Sequence, residues 1–313
     1  MTTTKTECPV CGPATTSFVG ECHQQPVVSC DDCGLMFVGE CQTVADTEEF
    51  FRTEHVDREE QTAMHYVTFR RDSLEREAGV IQRLLPEGGR LLDVGTASGY
   101  FLREFADKPG WEPVGVEPSA VSTRFARAEF GLDVREGYLI EQQFDAASFD
   151  VVTSLDAFNC HRSPNEDLAE IHRLLKPGGI FAIEIPGQSY RMLTGSGLLC
   201  RLLFGCSLRL NAGVNFYFYT TQSLVTMARR AGFQLQDSYP ESTPVQGRWV
   251  ARMAKTAWFR ATSLLYRATA GRVHYAPKEY LIFRKPVAPA GTTTASRPAP
   301  AATASPAALR RAA

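Results

Sequence analysis

Through the middle of the chain, short apolar runs alternate with longer stretches whose apolar residues recur at helical spacing. Leu91 to Val94, the run ending at Glu117, Phe149 to Leu155 and Ile180 to Ile185 each read as a strand buried on both faces. Each is short, continuous and bounded by glycine, proline or acidic residues. Val134 and its neighbours supply a further strand, and Tyr280 to Phe283 supplies a last one. Helices are predicted between them, including a polar one from about Pro164 and another from Thr221 to Ala231. Upstream, residues 46 to 86 read as helix, with Glu48 to Glu60 as a charged face and Tyr66, Phe69, Leu74, Val80, Ile81, Leu84 and Leu85 for packing. Alternating strands and helices of this kind predict an α/β chain of Rossmann-like architecture.

Length and composition refine this picture. A chain of 313 residues with 44% apolar content can bury one large core and a small appended module. No run reaches the length of a membrane span, and the polar start Met-Thr-Thr-Thr-Lys-Thr-Glu offers no apolar signal segment, so a cytoplasmic location is expected. After Pro286 the chain is Ala, Pro, Thr and Ser with almost no large apolar residue, which predicts a disordered tail over 286–313.

The chemistry begins at Leu91 to Phe101. There a buried strand runs into the turn Asp93-Val-Gly95-Thr-Ala97-Ser98-Gly99, and Glu117 follows 24 residues after Asp93. Glycines without Cβ let the backbone approach a ligand closely, and an acidic residue ending the next strand can accept from two ribose hydroxyls, so this is a nucleoside-binding pattern. A nicotinamide dinucleotide fits poorly, because the turn is Gly-x-x-x-Gly and lacks the spaced glycine set that cradles a pyrophosphate.

With Leu174-Leu-Lys-Pro-Gly-Gly179 before one strand and Ala231-Gly-Phe233 before another, residues 91 to 233 resemble the class I S-adenosylmethionine-dependent methyltransferases. Ala97 stands where that family usually has a middle glycine. The resemblance implies a seven-stranded class I methyltransferase core and S-adenosylmethionine as cofactor. It implies donor-site roles for Asp93, Gly95, Ala97, Ser98, Gly99, Tyr100, Phe101, Glu117 and Pro118, for Gly137, Tyr138 and Leu139 beside the adenine, and for Leu155 and Asp156 at the next strand end. In related enzymes a preceding helix covers the cofactor, which makes Tyr66 and Arg70 candidates at the methionine end. The Glu-His pair that many relatives carry is replaced here by Asn159-Cys160, with His161 one step later.

Four of the nine cysteines form two matched knuckles, Cys8-Pro-Val-Cys11-Gly and Cys30-Asp-Asp-Cys33-Gly, with eighteen residues between them. This is the spacing of a closed, structural four-thiolate zinc ribbon rather than of a catalytic zinc, which needs an open position. The expected organisation is therefore a zinc ribbon at 1–45, a helical cover at 46–88, the methyltransferase domain at 89–285 and the tail. A ribbon joined to a class I core resembles bacterial methyltransferases of sugar, polysaccharide and natural-product biosynthesis.

Methyl transfer from a sulfonium is an in-line displacement, so the protein chiefly aligns donor and acceptor and removes the acceptor proton. His161 is the leading candidate base, followed by Asp156 and Glu184 at strand ends. The long segment 186–220 is expected to build the acceptor pocket, with Asn215, Tyr217 and Tyr219 toward the substrate. His172 is expected on an exposed helix face. Residues 245–285 carry nine Lys/Arg and one acid, against 21 basic and 34 acidic groups in the first 244. Within 247–270, Val250, Met253, Ala257, Ala261, Leu264 and Ala268 share a helical face opposite Arg248, Arg252, Lys255 and Arg267. Such a helix is expected to pack its apolar face on the body. Its other uses are peripheral contact with an anionic membrane, a phosphate-bearing acceptor or RNA. The expected reaction is methylation of a hydroxyl on a sugar-containing or natural-product small molecule. An RNA acceptor and a non-catalytic scaffold are the alternatives.

Overall fold

The computed structural model describes residues 3–22, 25–38, 70–195, 215–242, 249–269 and 273–287. Tyr66, the expected helix upstream of residue 70, the apolar stretch 198–204, Arg248, Arg272 and the tail from 288 lie outside the described residues. The strands are β1 (Thr3–Cys8), β2 (Gly12–Cys22), β3 (Gln25–Cys30), β4 (Met36–Val38), β5 (Gly89–Val94), β6 (Trp111–Glu117), β7 (Asp133–Glu136), β8 (Phe149–Leu155), β9 (Leu175–Pro186), β10 (Tyr217–Phe218), β11 (Gln234–Glu241) and β12 (Lys278–Arg284). The helices are α1 (Arg71–Leu84), α2 (Tyr100–Ala106), α3 (Ala120–Phe130), α4 (Pro164–Leu174), α5 (Gln188–Gly195), α6 (Thr221–Arg230) and α7 (Trp249–Ala268).

Seven strands make the central sheet in the order β11-β12-β9-β8-β5-β6-β7, the Rossmann-like architecture that the alternating runs imply. β12 is antiparallel to both neighbours, whereas β5 to β9 pair in parallel. The strand order reverses at β5, between β6 and β8, so a crevice opens at the carboxyl ends of these strands.

Helix boundaries follow local chemistry. Ser119 caps α3 by accepting from the Ser122 amide, and Gly131, in the left-handed region, closes it. Thr220 and Ser223 form a reciprocal box at the start of α6. Pro164 opens α4, with Glu166 and Asp167 in the first turn and His172 and Arg173 in the last, matching the helix dipole.

Both sheet faces are covered. Leu91, Val134, Val151, Ile180, Ala182, Tyr280 and Ile282 pack with Leu74, Ala78 and Ile81 of α1 and with α2 and α3. Leu92, Val94, Val116, Val152, Phe181, Ile183 and Phe283 pack with α4 and α6 on the other face. That second core also includes Cys8, Val10, Ala14, Leu35 and Phe37 of the N-terminal module. The module's five-stranded sheet runs β1-β2-β3-β4-β10, and its last strand comes from the far end of the 186–220 segment. The ribbon thus shares a sheet and a core with the body.

Two expectations are corrected. His172 is half-buried, its ring edge-on to Phe233 at 5.2 Å and covered by Gly232, because α4 and α6 meet there. Of the face of α7 expected to pack inward, Met253, Ala257, Ala261, Leu264 and Ala268 are exposed instead. The helix docks through Phe259, Thr262, Ser263 and Tyr266. The reason is what lies beneath it: the Tyr266 hydroxyl meets Ser238 of β11 and the buried Glu279 of β12, polar groups that an aliphatic face could not satisfy.

Candidate functional site

The turn after β5 brings two buried carboxylates together. Gly95, Ala97 and Gly99 all have positive φ, and a Cβ on Gly95 would come within 2.5 Å of Ala157 Cβ. A side chain would therefore block the β5 turn from closing against the β8 end. Glu117 accepts from the Ala97 amide at 2.8 Å through one oxygen and from the Ser119 amide at 2.9 Å through the other. Asp93 accepts from the Thr153 hydroxyl at 2.7 Å. Burial pushes Glu117 up to about 7 and Asp93 up to about 6, with the neighbouring Asp93 charge adding to the rise at Glu117. A pair of desolvated acceptors at the ends of adjacent strands suits a ligand that presents hydroxyls and a positive charge, which is the chemistry of S-adenosylmethionine.

Beside them, Gly137 has φ of 119°, and its amide donates to the Glu117 carbonyl at 3.0 Å. Tyr138 follows and leads to the buried Leu139, while the Glu141 carboxylate accepts from the Tyr138 amide at 2.9 Å. Pro118, Ser98 and Leu155 stand at the same strand-end crevice. Two residues expected there pack elsewhere. Phe101 is buried against Phe105 beneath α2, and Tyr100 lies edge-on to Phe130 at 5.2 Å, since α2 turns both rings toward its own packing face.

The β8 and β9 ends carry the second half of the crevice. Glu184 is fully buried and receives Arg70 at 2.6 Å and Lys278 at 2.7 Å. Burial opposes its charge, but these two cations hold it well below the usual carboxylate range. Glu77, buried and beside that charge, is pushed well above the usual carboxylate range. This corrects the expectation that Glu184 is a base: it is sealed and already doubly paired. Arg70 likewise spends its guanidinium on Glu184. Asp156, one third exposed with φ of 60°, accepts from Lys278 at 2.7 Å, so it faces the crevice from a strained position. Glu77 and Lys278 were missed in the sequence because both look like ordinary charged residues of an amphipathic helix and an edge strand.

His161 lies just past the β8 end. Its Nδ1 is 2.9 Å from the Asp167 carboxylate at the start of α4, and its ring packs on Phe158 at 4.9 Å. Asp167 was not singled out from the sequence; its place six residues after a candidate base, in a first helical turn, was the available signal. Over this loop lies the strip 215–219. The Asn215 side-chain oxygen accepts from the Asn159 side-chain amide, the Phe216 backbone amide donates to the Asn159 backbone carbonyl at 2.9 Å, and the Tyr217 hydroxyl donates to the Arg162 backbone carbonyl at 3.1 Å. Tyr219 is buried with its ring 5.7 Å from Phe158. The structure thus sets Asn215 and Tyr217 against the loop that carries His161, leaves Asp156 paired with Lys278, and turns Tyr219 into the core.

In the N-terminal module the ligand atoms of Cys8, Cys11, Cys30 and Cys33 all lie within 4.8 Å of one another, with Cys8 and Cys33 Sγ 3.7 Å apart. Tetrahedral thiolates at about 2.3 Å from a zinc ion sit about 3.8 Å from each other, so the donor set fits that ion. Gly12 and Gly34, with φ of 79° and 71°, fold each knuckle back as its sequence implies.

A family model described as a methyltransferase domain matches residues 66–238, more than half of the chain. The demethylmenaquinone methyltransferase of Deinococcus radiodurans is 30% identical over 56% of this chain and 80% of its own length. A tRNA U34 carboxymethyltransferase of Sodalis glossinidius is 30% identical over 59% of this chain and 56% of its own. Across curated relatives the chain spans from 33% to 80% of their lengths. Among solved structures, the Haloferax volcanii complex of the Trm112 methyltransferase activator with a methyltransferase aligns with a TM-score of 0.51 at 21% identity, covering 77% of this chain and 98% of that one.

Two stability predictions follow from the buried charges. Glu184→Gln leaves Arg70 and Lys278 without their shared anion and should cost about 3–5 kcal/mol, read as a lower denaturant midpoint. Glu117 has a raised pKa, so its contribution to ligand-free stability is full below pH 4.5 and is lost as pH rises through about 7. Relative to Glu117→Gln, the wild type should therefore lose up to about 3 kcal/mol across that window. A parallel pH profile for the two proteins would refute the assignment.

Proposed function

The chain belongs to the methyltransferase-domain family, with the fold of a class I S-adenosylmethionine-dependent enzyme, and we propose that it methylates a hydroxyl of a small-molecule biosynthetic intermediate, one containing a sugar or another natural-product group. The observation that carries this reading is the hydrogen-bonded His161–Asp167 pair beside the β8 end. Asp167 accepts from Nδ1–H and so presents the Nε2 lone pair, the arrangement a general base needs. When bound, S-adenosylmethionine would supply an electrophilic methyl group with a thioether as its leaving group, and Nε2 of His161 would take the proton of the attacking hydroxyl. Asp93 and Glu117 hold the donor, with Gly95, Ala97 and Gly99 giving the close backbone approach and Gly137, Tyr138 and Leu139 lying by the adenine. Asp156, oriented by Lys278, is the second polar group toward the acceptor, and Asn215 and Tyr217 form its wall.

Cys8, Cys11, Cys30 and Cys33 hold a structural zinc in this reading, supported by their mutual distances. The tRNA relative favours a second reading, an RNA acceptor, whose binding would weaken steeply with salt. Against the scaffold alternative stands the intact donor set of Asp93, Gly95, Gly99 and Glu117.

Titration calorimetry with S-adenosylmethionine and its demethylated product should give micromolar binding that is lost in Asp93→Ala and Glu117→Ala. Absence of binding would refute the activity. With an acceptor identified by screening, His161→Ala should lower kcat about 10²–10⁴-fold while donor affinity stays constant. Unchanged turnover removes His161 from the chemistry, and lost donor binding moves it to the donor site. Purified protein should carry about one zinc per chain, and Cys30→Ser with Cys33→Ser should release it and lower thermal stability; a metal-free, equally stable wild type would overturn the ribbon assignment.

A further inference from the structure

The outward side of α7 is an apolar surface that no described residue covers. Trp249 is 71% exposed, Met253 63% and Leu264 66%, and Trp258 and Leu265 are also exposed. At 100° per residue these five, with the exposed Ala257, Ala261 and Ala268, occupy one half of the helix circumference, opposite the docked Thr262 and Tyr266. The exposed Arg260 and Arg267 line one border of that half. Residues 242–277 contain six Lys/Arg and not one Asp or Glu, although the first 244 residues are strongly acidic. Soluble surfaces rarely keep such a strip bare without a partner.

We infer that this face of α7 lies on an anionic lipid bilayer, with Trp249, Met253, Leu264 and Leu265 entering the headgroup boundary and the arginines meeting lipid phosphates. The chemistry points to a bilayer rather than a second copy of the chain. A two-fold pairing of this face would set its arginine border against itself, with no acid on the helix to offset the repulsion. Two of the chain's three tryptophans are here, and indole favours the membrane interface, where one side is apolar and the other wet. No helix of the described residues is long and apolar enough to cross a membrane, so the contact lies on the surface. The helix is rigidly mounted: Tyr266 donates to Glu279 at 3.0 Å, and Trp258 donates to the Tyr275 carbonyl at 3.2 Å. The segment from Val273 to Pro277 then leads into Lys278, which holds Asp156 at the acceptor side. A bilayer under α7 would therefore lie a short connection from the catalytic crevice, where an amphiphilic acceptor could be drawn from it.

The test is co-sedimentation of the full chain with vesicles of phosphatidylcholine alone and with vesicles in which about one third of the lipid is phosphatidylglycerol. Binding to the anionic vesicles is expected, weakening with salt, and falling at least tenfold in Met253→Asp with Leu264→Asp, exposed sites whose change should leave thermal stability and donor binding intact. Arg260→Glu with Arg267→Glu should abolish the preference for anionic lipid. Should the aspartate variant misfold, tryptophan emission of the wild type supplies the check: a blue shift on anionic vesicles that is smaller in Trp249→Phe supports the inference. Equal failure to bind both vesicle types, or self-association that the aspartate variant abolishes without lipid, would overturn it.

Discussion

A carboxylate with no access to solvent sits where three parts of the chain meet. Glu184 of β9 is paired to Arg70 just before α1 and to Lys278 at the start of β12, and its charge acts on the buried Glu77 of α1. Removing such charges from water costs several kcal/mol each, so Glu184 stays charged here only because Arg70 and Lys278 both meet it. It fixes the antiparallel β12 against β9 at the functional edge of the sheet, since Lys278 must reach both Glu184 and Asp156. It also pins α1 over the same edge through Arg70. The crevice is therefore framed by a charge network whose geometry admits little adjustment.

That network explains how the site divides. The donor half rests on backbone: positive-φ turns at Gly95, Ala97 and Gly99, and amides of Ala97 and Ser119 that hold Glu117. Backbone requirements of this kind leave marks in sequence, because few residues tolerate them, and so the turn, Glu117 and Gly137 were readable in advance. The proposed acceptor half rests on side chains drawn from distant segments. Arg70 and Glu184 are 114 residues apart, and Lys278 lies 122 residues from Asp156 and 94 from Glu184. Nothing in local periodicity marks such partners, so Glu184 read as a candidate base and Glu77 went unmarked. Burial reverses the first reading and makes Glu77 part of the same interior.

The ribbon was legible as four cysteines and two glycines, yet its attachment was not. Alternation and knuckle spacing describe a self-contained module, whereas β4 pairs with β10, two residues from the aromatic strip over the His161 loop. The Gln188 side chain donates to the Gly34 carbonyl at 3.0 Å, and Asn165 to the Pro9 carbonyl at 2.9 Å. The knuckles therefore bear directly on both ends of the 186–220 segment and on the start of α4, which carries Asp167. A small module that cannot support a core of its own gains one by lending its edge strand to the wall of the acceptor side.

α7 shows what periodicity alone determines. A 3.6-residue repeat groups Met253, Ala257, Ala261, Leu264 and Ala268 on one side, but it does not say which side faces the sheet. The direction is settled by what the sheet offers, and β11 with β12 offers Ser238 and Glu279, which the Tyr266 hydroxyl satisfies. Glu279, pushed up to about 7 by burial, also takes a hydrogen bond from Thr221 at 2.6 Å, so the polar dock joins α6, α7 and β12. Turning the helix over would strand these groups beneath aliphatic carbon, at about 1–3 kcal/mol for each buried polar atom left unmatched. The cost of leaving Met253 and Leu264 in water is of similar size but can be relieved by anything apolar that approaches from outside. A polar interior and an apolar exterior on one helix are thus compatible when the exterior has its own apolar phase to meet.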